Sequence, residues 1–141
     1  MLISGSCICG EVKYKIDGKP IVVAHCHCLE CQKRSGAGHT TGVMIHEKNF
    51  TINGNLSEFS RESEVGKETT HYFCSNCGSP LFGKNTKMTG FVTVSAGTLE
   101  DPNSIEPQVV VFAKYRNHWD LMDNSLETYQ DMPDWKPDTD L

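Results

Sequence analysis

The stretch Cys26-His27-Cys28-Leu29-Glu30-Cys31 places three thiols and one imidazole within six residues. A chain that only had to fill a hydrophobic core would not concentrate its sulfur in this way. Two further pairs flank this stretch, Cys7 with Cys9 upstream and Cys74 with Cys77 downstream. We interpret the flanking pairs, called the outer cysteines below, as one closed metal site. The inner trio, Cys26, Cys28 and Cys31, is then an open site at which chemistry takes place.

The outer cysteines have the ligand number that structural zinc prefers, four thiolates in a tetrahedron. Cys74-Ser75-Asn76-Cys77-Gly78 has the form of a zinc knuckle, whereas the thiols of Cys7 and Cys9 need a turn or bulge to converge on one ion. A metal held by both pairs would clamp the first strand onto the later sheet, and loss of one ligand should impair folding. The alternative is that Cys7 and Cys9 are buried apolar thiols, while Cys74 and Cys77 pair with part of the inner trio.

The inner trio offers three ligands, which leaves one position on a metal ion for water or substrate. A thiol bound there would be deprotonated and become a nucleophile at neutral pH. His27 is a candidate fourth ligand or proton carrier, although we expect its side chain to point outward as an ordinary polar residue. One alternative is a redox pair in which the helix start acidifies Cys28. Another is a structural site closed by a histidine, with the candidates His27, His25, His39 and His71.

Lys33 and Arg34 follow the inner trio directly and are candidate partners for a carboxylate of the substrate. The 141 residues, 38% hydrophobic and 22% charged, fit one globular domain. The N-terminus lacks the pattern of a signal peptide, and no stretch is apolar enough to span a membrane. We therefore expect a cytoplasmic protein. Because cytosolic thiols stay reduced, seven cysteines indicate metal binding rather than disulfides.

The formal net charge of -5 is concentrated at the C-terminus. Residues 118–141 carry seven acidic side chains against Lys136, so the remaining chain is nearly neutral. Without a basic stripe we expect no nucleic-acid binding. We predict a core at about residues 4–117 and an acidic C-terminal extension at 118–141, with a solvated surface. Trp119 and Trp135 would wrap this extension around the sheet.

Short β-strands dominate the predicted secondary structure. Val12, Tyr14 and Ile16 alternate with polar residues, which is typical of a strand with one buried face. Asn53-Gly54 is a strong hairpin signal, residues 61–68 read as a polar loop, and one helical turn is expected over Gln32–Ser35. The other predicted strands cover 21–24, 39–46, 50–53, 56–60, 69–73, 81–82, 91–94 and 108–115.

Three blocks together resemble the glutathione-dependent formaldehyde-activating enzyme family, which also includes centromere protein V. They are Gly5 to Val12, Cys26 to Ala37 and Phe73 to Leu81. Order, spacing and flanking residues all agree over about residues 4–99, with Gly97-Thr98-Leu99 as a weaker later block. Pro107 and Trp119 fit a looser C-terminal pattern.

The resemblance implies a mainly β, tent-like fold of antiparallel sheets with little helix, clamped by a structural zinc on Cys7, Cys9, Cys74 and Cys77. It also implies a second zinc on Cys26, Cys28 and Cys31, and a carbon-sulfur lyase activity that adds glutathione, or a similar small thiol, to formaldehyde. One departure is the strand after Pro107, which begins with Gln108 where relatives often have a histidine nearby. The alternative function is a non-catalytic zinc-binding module that mediates protein interaction.

Overall fold

The predicted mainly β fold is confirmed by a computed structural model, which describes residues 1–62 and 66–134. The strands within these ranges are β1 (Leu2–Ser6), β2 (Lys13–Asp17), β3 (Val22–Cys26), β4 (Thr40–His46), β5 (Phe50–Asn53), β6 (Leu56–Glu62), β7 (Glu68–Cys74), β8 (Pro80–Asn85), β9 (Phe91–Ser95), β10 (Val109–Val111) and β11 (Glu127–Thr128). The α-helix α1 covers Leu29–Ser35. Short 3-10 helices cover Glu47–Asn49, Ala96–Thr98, Pro102–Ser104 and Ala113–Tyr115.

The strands form two sheets in the part of the chain that the structure describes. The small sheet has the order β1-β2-β5, and the large sheet has the order β11-β10-β3-β4-β9-β8-β7-β6. Pairing is antiparallel except at one edge, where β10 runs parallel to both β3 and β11. Strand β3 lies between β10 and β4 in the large sheet and ends in Cys26. The first cysteine of the inner trio is therefore at the end of an interior strand.

The hydrophobic core joins the two sheets. Tyr14 and Ile16 alternate with exposed lysines along β2, so one face of the small sheet is buried as predicted. They belong to the same buried cluster as Val43, Ile45 and Val94 of the large sheet. Packing of the small sheet against the large one therefore accounts for the alternation seen in the sequence.

Tyr14 also makes a polar connection between the sheets. Its hydroxyl lies 2.7 Å from Oγ1 of Thr98, which in turn donates to the Ser95 carbonyl over 2.7 Å. Gly5 faces this tyrosine from β1, and a Cβ there would lie only 2.2 Å from the Tyr14 hydroxyl. A glycine at position 5 is thus required by the close approach of the phenol.

Several predicted boundaries are wrong. The helix begins at Leu29 rather than Gln32, because the Cys28 side chain accepts a hydrogen bond from the Cys31 backbone amide and caps the first turn. The predicted loop at 61–68 is shorter, since β6 continues to Glu62 and pairs with β7 from Glu68. Strand β1, which the sequence reading did not anticipate, pairs along its whole length with β2.

The predicted strand at 108–115 is also too long. Strand β10 ends at Val111, and Phe112 takes a left-handed backbone with φ 54°, which breaks the extended conformation. Beyond Phe112, the C-terminal segment adds strand β11 to the large sheet beside β10. The side chain of Trp119, in the same segment, is 62% exposed. Trp135 lies outside the described residues. No helix in the described ranges is long and apolar enough to cross a membrane.

Candidate metal centres

The outer cysteines come together between the two sheets. Cys7 follows β1, Cys74 ends β7, and the ligand atoms of all four thiols lie within 4.8 Å of one another. The Sγ atoms of Cys7 and Cys9 are 3.5 Å apart, and those of Cys9 and Cys74 are 3.8 Å apart. Tetrahedral zinc with bonds of about 2.3 Å would hold its sulfurs about 3.8 Å apart. The two S–S distances are close to this spacing, so the four thiols form a group that could hold a zinc ion.

Each outer pair lies on a tight turn that ends in a glycine. The Gly10 amide donates to the Cys7 carbonyl, and the Gly78 amide donates to the Cys74 carbonyl. Both glycines have φ 77°, in the left-handed region that other residues rarely adopt. This geometry supplies the turn that the Cys7 and Cys9 spacing requires. It also disfavours the alternative of two buried apolar thiols, because Cys9 is exposed and faces Cys74.

Backbone amides point at the outer sulfurs as well. Val12 donates to Cys7 Sγ over 3.3 Å, while Asn76 and Cys77 each donate to Cys74 Sγ over 3.4 Å. Hydrogen bonds from amide and hydroxyl groups stabilise a thiolate. The Ser79 side chain and backbone accordingly lower the pKa of Cys77 to about 5. At Cys74 the amide bonds from Cys77 and Asn76 lower the pKa, but burial and the neighbouring Cys77 and Cys7 thiols outweigh them and raise it to about 11.

The inner trio is formed where β3 passes into α1. Cys26 is the last residue of β3, Cys28 caps the helix, and Cys31 lies buried in its first turn. Their three sulfurs lie within 4.8 Å of one another. Among the described residues this group includes no histidine nitrogen, so His25, His27, His39 and His71 do not close it.

Of the three inner thiols, Cys31 is the one whose pKa is lowered. Hydrogen bonds from the Cys26 and Cys28 thiols lower the pKa of Cys31, and the positive charge of Arg34 lowers it further. The pKa of Cys28 is raised instead: its hydrogen bond with Cys26 lowers it, but that with Cys31 and burial outweigh this effect. A redox pair would need the opposite pattern, with an acidified Cys28. The pKa pattern therefore does not match a redox pair with an acidified Cys28.

Arg34 and Lys33 differ in their relation to the trio. Nη2 of Arg34 lies 3.8 Å from Cys31 Sγ, and its Nε is buried with no hydrogen-bond partner among the described residues. Lys33 is exposed on the same helix. His71 of β7 approaches from the other side, where its Nε2 lies 3.1 Å from Glu30. Its Nδ1 is another buried atom without a partner in the described part of the chain.

The structure does not place His27 where the sequence reading expected it. Its side chain is completely buried, not directed outward. Its Nδ1 lies 3.2 Å from the Gly38 carbonyl and 3.3 Å from Asp120 Oδ2. A side chain flanked by two cysteines in sequence is therefore turned away from their site, because consecutive residues at the end of a strand point in opposite directions.

Asp120 was expected in a solvated acidic extension, which is wrong for this residue. Its side chain is only 12% exposed, and Oδ2 lies 2.7 Å from His39 Nδ1. Arg116 donates to the Asp120 carbonyl, and the chain nearby is tied to α1 by a 2.8 Å hydrogen bond from Asn117 to Gln32. No local signal marks Asp120, since 81 residues separate it from His39.

Gln108, the departure noted in the sequence, pairs with β3. Its backbone amide donates to the Val23 carbonyl over 2.9 Å, and its side-chain oxygen accepts from the Val23 amide over 3.0 Å. This residue therefore supports β3 by pairing on both sides of Val23.

Comparison with known proteins gives one family and one related fold. The sequence model described as "Glutathione-dependent formaldehyde-activating enzyme" matches residues 2–115. A Halomonas elongata protein whose name assigns it provisionally as a glutathione-dependent formaldehyde-activating enzyme is 28% identical over 87 residues. That match covers 58% of this chain and 55% of the relative, so the aligned region spans about half of the relative's length.

Among solved structures, a crystal structure of a Rhodobacter sphaeroides protein is similar, with a TM-score of 0.57. The match covers 72% of this chain and 93% of that chain at 18% identity. At this identity the similarity concerns the fold alone.

Proposed function

The chain belongs to the glutathione-dependent formaldehyde-activating enzyme family, and from this premise we propose that it is a zinc-dependent carbon-sulfur lyase. In this proposal it adds glutathione, or a similar small thiol, to formaldehyde. One structural zinc is held by the outer cysteines, and a second, more labile zinc is held by Cys26, Cys28 and Cys31. The three-thiol inner trio beside a half-buried arginine is the observation that carries the proposal.

The inner trio has the donors that zinc prefers and one ligand fewer than a closed shell. Zinc bound there would act as a Lewis acid and lower the pKa of a thiol at its open position. Arg34 adds a positive charge at 3.8 Å from Cys31 Sγ, which stabilises negative charge on sulfur. The protein thus favours the thiolate form of a small thiol over its neutral form.

The reaction is a simple addition. The thiolate sulfur of glutathione attacks the carbonyl carbon of formaldehyde, and a carbon-sulfur bond forms while the π electrons of the carbonyl move to its oxygen. That oxygen takes up one proton, which balances the proton that the thiol released. The product is S-hydroxymethylglutathione, and nothing is oxidised or reduced.

The chain's own contribution is to bind and orient the thiol. Glutathione carries two carboxylates, and the half-buried Arg34 brings its guanidinium next to the inner trio. An arginine can bind a carboxylate through two parallel hydrogen bonds. Lys33, exposed on the same helix, would contribute a second and weaker charge. We assign no proton transfer to His27, because its ring is sealed from solvent and its Nδ1 faces Asp120.

The test is exchange NMR with ¹³C-labelled formaldehyde and glutathione, comparing the zinc-loaded protein with Cys28→Ser. Addition also proceeds without an enzyme, so the measured quantity is the exchange rate above that of protein-free solution containing the same zinc. We expect acceleration by the native protein and none by Cys28→Ser. Serine can still cap α1, so circular dichroism should show an intact fold and metal analysis should show one zinc fewer.

A folded, zinc-loaded native protein that leaves the exchange at the protein-free rate would contradict the enzymatic proposal. That result would favour the alternative, a non-catalytic zinc-binding module that mediates protein interaction.

A further inference from the structure

We propose that His27, His39 and Asp120 form a third metal site, which binds a divalent first-row transition ion through two imidazoles and one carboxylate. This site is independent of the proposed function, since it uses none of the seven cysteines. Its three residues lie directly after β3, directly before β4 and in the segment after the 3-10 helix Ala113–Tyr115. Their ligand atoms lie within 4.8 Å of one another.

The distance from Asp120 to His27 suits a metal ion, whereas the shorter distance from Asp120 to His39 is that of a hydrogen bond and would lengthen on coordination. Asp120 Oδ2 lies 2.7 Å from His39 Nδ1 and 3.3 Å from His27 Nδ1. Metal bonds of about 2.0–2.2 Å would place ligand atoms about 3 Å apart at right angles and about 3.4 Å apart in a tetrahedron. Both imidazoles also present the same atom, Nδ1, to the same carboxylate oxygen.

Burial sets this cluster apart from an ordinary surface ion pair. His27 is fully buried, and the side chains of His39 and Asp120 are 24% and 12% exposed. The Nε2 of His27 has no hydrogen-bond partner among the described residues. A metal bound at Nδ1 would fix the ring proton on this Nε2, where proton NMR can detect it.

The surrounding chain is shaped for the close approach of Asp120. A Cβ on Gly38 would lie 2.4 Å from Asp120 Oδ2, so only glycine leaves room for the carboxylate. The Asp120 amide donates to the Asn117 carbonyl over 3.0 Å, and Arg116 holds its carbonyl. On the opposite side, the His25 ring packs edge-on against His39 with centroids 5.0 Å apart. The ligands are thus held in place before any ion binds.

The donor set defines the class of ion. Two imidazoles and one carboxylate suit Fe²⁺, Co²⁺, Ni²⁺ and Zn²⁺, whereas Mg²⁺ and Ca²⁺ prefer oxygen ligands alone. Three protein ligands also leave open positions on the ion. The competing interpretation is a purely hydrogen-bonded cluster, in which His39 donates to Asp120 and His27 donates to the Gly38 carbonyl.

Cobalt distinguishes the two interpretations, because thiolate ligands give Co²⁺ strong charge-transfer absorption and imidazole and carboxylate ligands do not. The full chain is equilibrated with Co²⁺, and cobalt per chain is measured together with the absorption spectrum. We expect Asp120→Asn and His39→Gln to bind one cobalt fewer than the native protein, with unchanged thiolate absorption. The matched control Asp134→Asn removes an exposed carboxylate of the same segment and should bind as the native protein does.

An equal cobalt count in the native protein and both variants would overturn the proposal. A second measurement needs no variant: proton NMR of the Co²⁺-loaded native protein in H₂O. Two imidazoles bound through Nδ1 each keep an Nε2 proton, so two strongly shifted resonances should appear and vanish in D₂O. No such resonance would leave the hydrogen-bonded cluster as the answer, and a single one would indicate that one histidine completes another site.

Discussion

Arg34 brings a positive charge to the inner trio, whereas the neighbouring Lys33 points its charge into solvent. In the proposed function we expect Arg34→Gln to raise the KM for glutathione about tenfold, because it removes a charge-assisted hydrogen bond worth about 1.5–3 kcal/mol. Lys33→Gln should have a smaller effect. The measurement is the rate of formaldehyde exchange as a function of glutathione concentration.

A thiol without carboxylates separates substrate binding from thiol activation. With 2-mercaptoethanol, Arg34→Gln should leave KM nearly unchanged, since there is no carboxylate to lose. The exposed Lys87 provides a control of similar charge in Lys87→Gln. If Arg34→Gln changes the KM of both thiols equally, Arg34 does not bind a carboxylate.

Single residues also show where sequence reasoning ends. The pairs Cys7 with Cys9 and Cys74 with Cys77 could be grouped in advance because each pair is local in sequence and has ligand spacing. His27 and Asp120 could not be grouped, because they meet only after β3, β4 and the C-terminal segment have packed together. The cluster of acidic residues at the C-terminus predicted that Asp120 is exposed to solvent, but its side chain is largely buried.

At the scale of elements, strand β2 is joined to the 3-10 helix Ala96–Thr98 through the Tyr14 hydroxyl. Because Thr98 donates its own hydrogen to Ser95, the tyrosine must be the donor to Thr98. Burial raises the pKa of Tyr14 from 10.0 to about 12. Ionisation would remove the donor and place a charge in the core.

Tyr14 should therefore make stability depend on alkaline pH. Since its folded pKa lies above its unfolded value, the stabilising effect is fully present below pH 10 and is lost as pH rises through about 12. Two pKa units correspond to about 3 kcal/mol. Tyr14→Phe should lower the free energy of unfolding by about 1 kcal/mol at pH 8, because the hydrogen bond is lost. Between pH 10 and 12, the free energy of unfolding of this variant should decline less than that of the native protein.

Urea unfolding at pH 8 measures the effect of the lost hydrogen bond. The change in the free energy of unfolding between pH 8 and pH 11 measures the alkaline loss of stability. Tyr115, which is exposed in the 3-10 helix Ala113–Tyr115, provides the control variant Tyr115→Phe. An equal alkaline loss in the native protein and Tyr14→Phe would show that Tyr14 does not cause it.

Element boundaries followed from the sequence where the pattern is periodic. The alternation along β2 predicted its buried face, because the period of two is a property of any strand on a core. The start of α1 was missed because a cysteine rarely serves as the N-cap, and the end of β10 was missed because Phe112 adopts a left-handed backbone. Neither the cysteine N-cap nor the left-handed backbone of Phe112 can be recognised from the amino-acid sequence alone.

At the scale of the whole molecule, the outer cysteines connect two parts of the chain that are far apart in sequence. Cys7 and Cys9 follow the first strand of the small sheet, and Cys74 ends a strand of the large sheet. A metal ion held by both pairs would lock the two sheets together over the core of Tyr14, Ile16 and Val94. The inner trio involves only the end of β3 and the start of α1, so its metal would add little to this connection.

Thermal unfolding of zinc-loaded Cys74→Ser and Cys28→Ser, measured side by side, tests this division most directly. Structural zinc sites contribute about 10 kcal/mol or more to folding, so we predict that Cys74→Ser loses cooperative unfolding or melts at least about 10 °C lower than the native protein. Cys28→Ser should melt within a few degrees of the native protein, because serine preserves the cap of α1. Unfolding of Cys28→Ser with an unchanged midpoint for Cys74→Ser would contradict the account, and so would an equal loss in both variants.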